Sequence, residues 1–509
     1  VTPRIDHDNG NGADGRLDTA AVKGAMWLAT DQVGSRVIDM FFTVALARLL
    51  VPGDFGLLAM AAASTAFLRL FGNLGLAAAI VQQREVDDEF LSTAFWANVA
   101  TGAALFLIAG IAGKYMGDLL REPRAGVIIF FLSSRFLIAA GSATQIAMFS
   151  RRLDFRALSL RSIVATVVAG AVAVALAARG MGVWALVAQE LTRTAVATVL
   201  LYLATGWRPR RVFSPTRFRT LWSFSGPLLV SRFLRYLMGN TDNLLVGRYL
   251  GSTALGFYSM AYSVFTAPLN DFSAIVHRVM FSALSRLHGD GDRFKRGFLL
   301  ATRYVTMLTI PTMVGLATVA PLVVRVLFGE RWLPAAPVIS LLALAAPFGL
   351  MMGVGPSGLQ AGGRTDLQMW LSLISALVYL PAFAIGLRWG IVGVAACSLV
   401  GSAILAPIEF HVNARVTGVR FGELWEAVGA SVVGSAIMGL VVVLARRALD
   451  PLGLPALVAL VALVALGVAV YGALVWAAQR QTLLGMIRIV LEAAPVRGFR
   501  AGRLAREAK

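Results

Sequence analysis

Ionisable side chains recur inside stretches that are otherwise apolar: Arg36, Asp39, Arg69, Arg135, Glu190, Arg193, Arg232, Arg235, Asp242, Asp271, Arg278 and Arg303. At mid-bilayer each such charge costs about 2.5–3.5 kcal/mol even on the milder insertion scales, so each needs a partner or a wet surface. The chemistry they suit is anion recognition. A guanidinium is a planar fork of N–H donors that can take two phosphate oxygens at once. Arg232, Arg235, Gly239 and Asp242 fall at i, i+3, i+7 and i+10, on one helical face. A carboxylate in that stripe could trade partners with an arriving phosphate or hold a coupling cation, a role open also to Asp39 and Asp271. Arg69 and Arg135 have no opposite charge one turn away, and with Arg36 they are assigned to the same polar cavity. The bland alternative is self-neutralisation: Arg36–Asp39 and Glu190–Arg193 are i, i+3 pairs that can quench each other within their own helices. Arg48, Arg248 and Arg278, near the ends of their stretches, can reach the interface with their long stems.

Other chemistries find little support. No GxxxxGK[ST] loop is present to cradle a nucleotide, so ATP hydrolysis within this chain is not expected. No nucleophile and base stand at a recognisable spacing, and no enzymatic activity is expected. His277 and His411 are isolated and Cys397 is single, so neither metal nor cofactor is expected.

The elements that must position the arginines follow from composition. Of 509 residues, 58% are hydrophobic and 14% charged, with a mean hydropathy of +0.75. No soluble domain could cover its surface at that balance, which points to an all-α polytopic membrane protein. Stretches long enough to cross about 30 Å of hydrocarbon fall near 23–48, 55–80, 92–112, 125–148, 162–178, 183–205, 220–247, 254–281, 298–319, 337–359, 369–387, 391–412, 425–445 and 456–478, fourteen in all. Pro227, Pro268, Pro311, Pro347, Pro381 and Pro407 lie inside these spans, and Gly353, Gly355, Pro356 and Gly358 cluster at the end of the tenth, as kinks or packing sites. The net charge of +19 would suggest nucleic acid in a soluble chain. Here the basic residues concentrate in the connections after spans four, six and eight and beyond the last span, which places both termini in the cytosol and makes nucleic acid an unexpected partner. Residues 1–22 read as a cytosolic tail, since they lack a signal-peptide pattern.

The chain also repeats itself. Ala47-Arg48-Leu49-Leu50 and Gly56-Leu57-Leu58-Ala59-Met60-Ala61 return as Gly247-Arg248-Tyr249-Leu250 and Gly256-Phe257-Tyr258-Ser259-Met260-Ala261, at an offset of 200 residues. Both copies enter from the same side, so the halves are parallel repeats about an axis along the membrane normal. The expected organisation is a lobe of six spans over 23–205, a basic linker 206–219, a second six-span lobe 220–412, two further spans within 425–478, and a basic tail 479–509 whose run Leu483–Leu491 is amphipathic.

These hairpins carry a resemblance. Asp242–Gly251 with Ala254–Tyr262, together with Ala47–Ala59 and Phe281–Leu287, resembles the Wzx-type polysaccharide flippases of the multidrug/oligosaccharidyl-lipid/polysaccharide exporter superfamily, over roughly residues 20–420. The resemblance implies two six-helix bundles plus two helices, and passage of undecaprenyl-diphosphate-linked oligosaccharide across the bacterial inner membrane by alternating access, for exopolysaccharide, capsule or O-antigen. It implies membrane lipids, a glycan polymerase and an export complex as partners. It supplies no invariant motif, so Arg36, Arg69, Arg135, Arg232 and Arg235 are candidates on physical grounds. A cation-coupled drug exporter of the same superfamily would favour acidic residues in the cavity. A glycan polymerase would carry a long outside loop, yet the longest outside segments, near 113–124 and 446–455, are short.

Overall fold

The computed structural model describes residues 34–72, 80, 86–152, 154–215, 241–266, 291–351 and 365–493. Regular structure among them is helical: α1 (34–49), α2 (Pro52–Gly72), α3 (Asp88–Leu119), α4 (Pro123–Ala140), α5 (Ala143–Arg151), α6 (Phe155–Ala178), α7 (Val183–Thr205), α8 (241–266), α9 (Gly291–Leu327), α10 (Ala336–Met351), α11 (Thr365–Gly386), α12 (Gly390–Thr417), α13 (Phe421–Leu449) and α14 (Ala456–Ala493). Nine stretches among the described residues are long and apolar enough to cross a membrane, and with the composition they make this a multi-pass α-helical membrane protein. Large apolar side chains such as Phe41, Ile111, Leu203 and Val468 stand exposed on the outer helix faces, where lipid rather than water is the solvent.

The termini of these helices are written locally. Asp87 and Asp154 accept from the first-turn amides of α3 and α6, through Phe90 N (2.7 Å) and Ala157 N (3.3 Å). Between α6 and α7 the chain reverses at Gly180–Gly182, where both glycines take positive φ that a β-carbon would oppose. The connection after α7 is fastened rather than loose: Arg210 N donates to Ser92 Oγ at 3.0 Å, Trp96 Nε1 to the Arg210 carbonyl at 2.7 Å, and Ser214 N to Thr93 Oγ1 at 3.1 Å.

The chain forms two compact units. The first holds the described residues up to Met260 with Leu327–Ala335 and Phe383–Val394; the second holds Ala261–Val326, Ala336–Ala382 and the chain from Ala395. Within the first, α4 packs against α2, α3 and α7. Leu46 of α1 and Leu50 just after it pack with Ala173 and Ala177 of α6 and with Ala185 and Leu186 of α7. Small residues at these contacts let helices approach in a solvent that offers no hydrophobic drive between them.

The second unit shows how proline is accommodated in lipid. Pro311 and Pro321 lie inside α9, where each removes an amide donor and strands the carbonyl four residues earlier. Tyr471 Oη of α14 donates to the Met307 carbonyl at 2.8 Å, and Ser340 Oγ of α10 donates to the Ala317 carbonyl at 2.7 Å. Both stranded acceptors are thereby satisfied without water. Tyr471→Phe is expected to lower stability by about 1 kcal/mol, the size of an interhelical hydrogen bond in a bilayer. An unchanged unfolding midpoint in detergent would show that water reaches that carbonyl. The helix of α14 breaks at Gln479, where φ is −137°, so its last residues run in a new direction after the apolar span ends.

Candidate functional site

Three helices of the first unit bring their charges together. The apolar seam of α1 against α6 and α7 aligns Asp39 with Arg193, and the packing of α4 on α7 aligns Arg135 with Glu190. Arg193 grips Asp39 with both guanidinium nitrogens, Nη2 on Oδ1 and Nη1 on Oδ2 at 3.2 Å. Arg135 Nη1 lies 3.3 Å from Glu190 Oε2. Arg36 stands one turn before Asp39 on α1, so the set holds three guanidinium groups against two carboxylates.

These pairs run between helices: Asp39, which also feels Arg36 on its own helix, is gripped by Arg193 of α7, and Glu190 takes a partner from α4 rather than only its i, i+3 neighbour. The two i, i+3 spacings do place each residue correctly, since a residue one turn away faces the same side. What they do not encode is which neighbouring helix lies opposite. Glu190 and Arg193 were therefore missed as members of a shared site. The available signal was Arg135 itself, a charge with no partner on its own helix.

Neither pair is sealed. The side chains of Arg135 and Glu190 remain 25% and 32% exposed, and those of Arg193 and Asp39 remain 31% and 35% exposed. A guanidinium already forked to a carboxylate can exchange those two oxygens for phosphate oxygens of the same geometry. Chemically, the arrangement can receive an anion, with the carboxylates holding the arginines in place otherwise.

The other expected residues fall differently. Asp242 is buried; it accepts from Tyr258 Oη at 2.9 Å and from the Asn243 amide at 2.8 Å. Its carboxylate thereby ties the two arms of α8 together across the corner at Gly251. Arg69 lies on α2, and its side chain is outside the described residues. Arg232, Arg235 and Asp271 also lie outside the described residues, as do Arg278 and Gly239. Pro227, Pro268 and the cluster Gly353 to Gly358 fall there too. Arg303 reaches from α9 to the Glu426 carbonyl at 3.5 Å.

Comparison with known proteins covers most of the chain. It is 29% identical to the succinoglycan biosynthesis transport protein ExoT of Rhizobium meliloti, over 71% of this chain and 73% of that protein. It is 27% identical to the teichuronic acid biosynthesis protein TuaB of Bacillus subtilis, over 71% of this chain and 76% of that protein. Among solved structures, the lipid II flippase MurJ in an inward closed conformation superposes with a TM-score of 0.73 at 14% identity, covering 89% of this chain and 99% of that one. At that identity the likeness is one of fold. The resemblance read from the two hairpins is borne out by the sequence family described as polysaccharide biosynthesis protein, which matches residues 45–337, more than half of the chain; this protein belongs to that family.

Proposed function

We propose that this protein carries a lipid-linked oligosaccharide across the bacterial inner membrane, both termini in the cytosol, by exposing a polar site to one side and then the other. The observation that carries the reading is the interhelical charge ladder of Asp39, Arg193, Glu190 and Arg135, whose side chains stay 25–35% exposed on apolar helices. Charges left open at bilayer depth are costly unless water or a charged ligand meets them. A lipid-linked glycan offers both a polar head that needs a hydrated route and, in its diphosphate, the anion that guanidinium forks hold best. Family membership supports the same class of cargo, as do relatives named for succinoglycan and teichuronic acid biosynthesis.

In this mechanism Arg36, Arg69 and Arg135 of the first repeat and Arg232 and Arg235 of the second supply the guanidinium groups for the diphosphate. The prenyl chain stays in lipid throughout. Asp39 and Glu190 give up their arginines as the phosphates arrive and take them back when the glycan leaves. Asp39, Asp242 and Asp271 are the carboxylates available to a coupling cation. A glycan polymerase and an export complex would receive the product outside.

Reconstitution into liposomes with a fluorescent prenyl-diphosphate oligosaccharide tests the reading, by the fraction of probe that becomes reachable by an impermeant quencher. Flipping dependent on the protein is expected. Arg232→Glu/Arg235→Glu is expected to lower it at least tenfold with unchanged protein in the membrane; full flipping by that variant would remove the second repeat from phosphate binding.

A further inference from the structure

The chain beyond Gln479 carries a pattern that the charge ladder does not use. Leu483, Leu484, Ile487, Val490 and Leu491 fall at i, i+1, i+4, i+7 and i+8, and Gln481, Thr482, Gly485, Arg488 and Glu492 fall at i, i+1, i+4, i+7 and i+11. Both series have the helical period, so one face is apolar and the other polar. The structure keeps this run helical as far as Ala493 but separates it from the apolar span by the break at Gln479.

Contacts inside the second unit show where the run goes. Tyr471 Oη meets the Met307 carbonyl of α9, and a β-carbon at Gly485 would stand 3.1 Å from Tyr304 Oη of the same helix. From residue 471 to residue 485 an unbroken helix would advance about 21 Å, whereas residues 304 and 307 are about 4.5 Å apart along α9. The break makes up the difference by turning the run across α9 instead of along it. Gly485, on the polar face, is the residue set against Tyr304, while Leu484, on the apolar face, is 47% exposed.

Just before the break, Trp476 is 51% exposed and Arg480 Cζ lies 4.9 Å from the centre of its indole ring. A tryptophan under an arginine at the end of an apolar span marks the boundary between hydrocarbon and headgroups, where the ring rests at the interface and the guanidinium reaches phosphate. From Arg480 to Lys509 the chain carries seven basic residues and two acidic ones.

We propose that residues 480–493 form a helix lying in the plane of the membrane interface, its apolar face in the acyl chains, and that its arginines and the basic residues that follow bind the phosphates of anionic phospholipid in the leaflet where α14 ends. A change of direction at the end of the span, an apolar face open at Leu484 and an excess of positive charge are what such a helix requires. Water would meet an open apolar face there, and a neutral lipid surface would leave the basic excess without counter-charges. The proposal concerns the membrane itself and is independent of the cargo.

The test uses the full chain with Cys397→Ser and Leu484→Cys, labelled with bimane and reconstituted into phosphatidylcholine vesicles containing either brominated phosphatidylglycerol or brominated phosphatidylcholine. Both brominated lipids are expected to quench the label, the anionic one at least threefold more effectively at equal fraction. Raising the salt to about 1 M is expected to bring the two together, because charges are then screened beyond about 3 Å. Arg480→Gln/Arg488→Gln/Arg497→Gln/Arg500→Gln is expected to do the same at low salt while leaving quenching by the neutral lipid unchanged, which separates lost charge from a lost helix. Selectivity retained by that variant would overturn the proposal, as would equal quenching by both lipids in the parent at low salt. Quenching by neither lipid, with free quenching by aqueous iodide, would show that the apolar face awaits a soluble partner and would overturn it too.

Discussion

Arg135→Gln/Glu190→Gln is expected to leave the protein folded in the membrane and to lower flipping of a prenyl-diphosphate oligosaccharide about a hundredfold. The double variant separates two roles that any single charge reversal confounds. Arg135 and Glu190 sit 3.3 Å apart on α4 and α7, and breaking such a pair from one side leaves an uncompensated charge. Replacing both partners with neutral groups of similar shape is often harmless or stabilising, because two desolvation costs disappear with one attraction. If the pair served only to neutralise itself, the neutral variant would insert as well as the native chain and transport as fast. If Arg135 holds phosphate, the loss is that of a charge-assisted fork, about 1.5–3 kcal/mol per bond to a charged group and so one to two decades in rate. Asp39→Asn/Arg193→Gln is expected to behave alike. Normal flipping in both neutral pairs, with normal protein levels, would reduce the ladder to architecture.

The second large effect concerns stability. Trp332 is wholly buried, donates from Nε1 to the Ala47 carbonyl at 2.8 Å, and is ringed by Phe55, Phe257 and Phe328 with centroids 5.2–6.3 Å away. It thereby joins the end of α1, the start of α2, the second arm of α8 and the turn that follows α9. Trp332→Ala is expected to cost about 3–5 kcal/mol, the range for deleting a large buried aromatic. The hydrogen bond adds to this because the Ala47 carbonyl loses its donor. Thermal unfolding in detergent should show a midpoint many degrees lower and less protein recovered from membranes. Trp332→Phe keeps most of the packing and loses only the donor, so it should lie much nearer the native chain. A Trp332→Ala variant as stable as native would mean that lipid or detergent fills the space.

Much of the architecture was legible beforehand. The span expected at 183–205 is α7 to the residue, and the short gap left between the spans 162–178 and 183–205 is where the chain reverses, at Gly180–Gly182. Hydropathy reports such elements because crossing a bilayer is a property of one segment: every backbone group must be satisfied within the helix, whatever its neighbours. The repeat was legible for a similar reason, since equal residues at equal offsets need no contact to be seen. The role of Arg48 and Arg248 was not: side chains at helix ends looked free to reach the interface, whereas both are spent on the ends of other helices, Arg48 on the Leu327 carbonyl of α9 and Arg248 on the Leu119 carbonyl of α3. The acceptors for Tyr471 and Ser340 were half legible, because a proline announces a stranded carbonyl without naming the donor that will find it.

By itself, then, the sequence determined the solvent, the helices, their repeat and the set of charges placed at depth, all of which depend on composition and local spacing. Only the tertiary structure decided how those charges pair. Asp39 had Arg36 one turn away and Glu190 had Arg193, and nothing in the order of residues opposed those matches. The packing of α1 on α7 and of α7 on α4 added Arg193 and Arg135 as the partners across the helix contacts, because attraction between charges depends on the distance across a helix contact, which chain separation does not set.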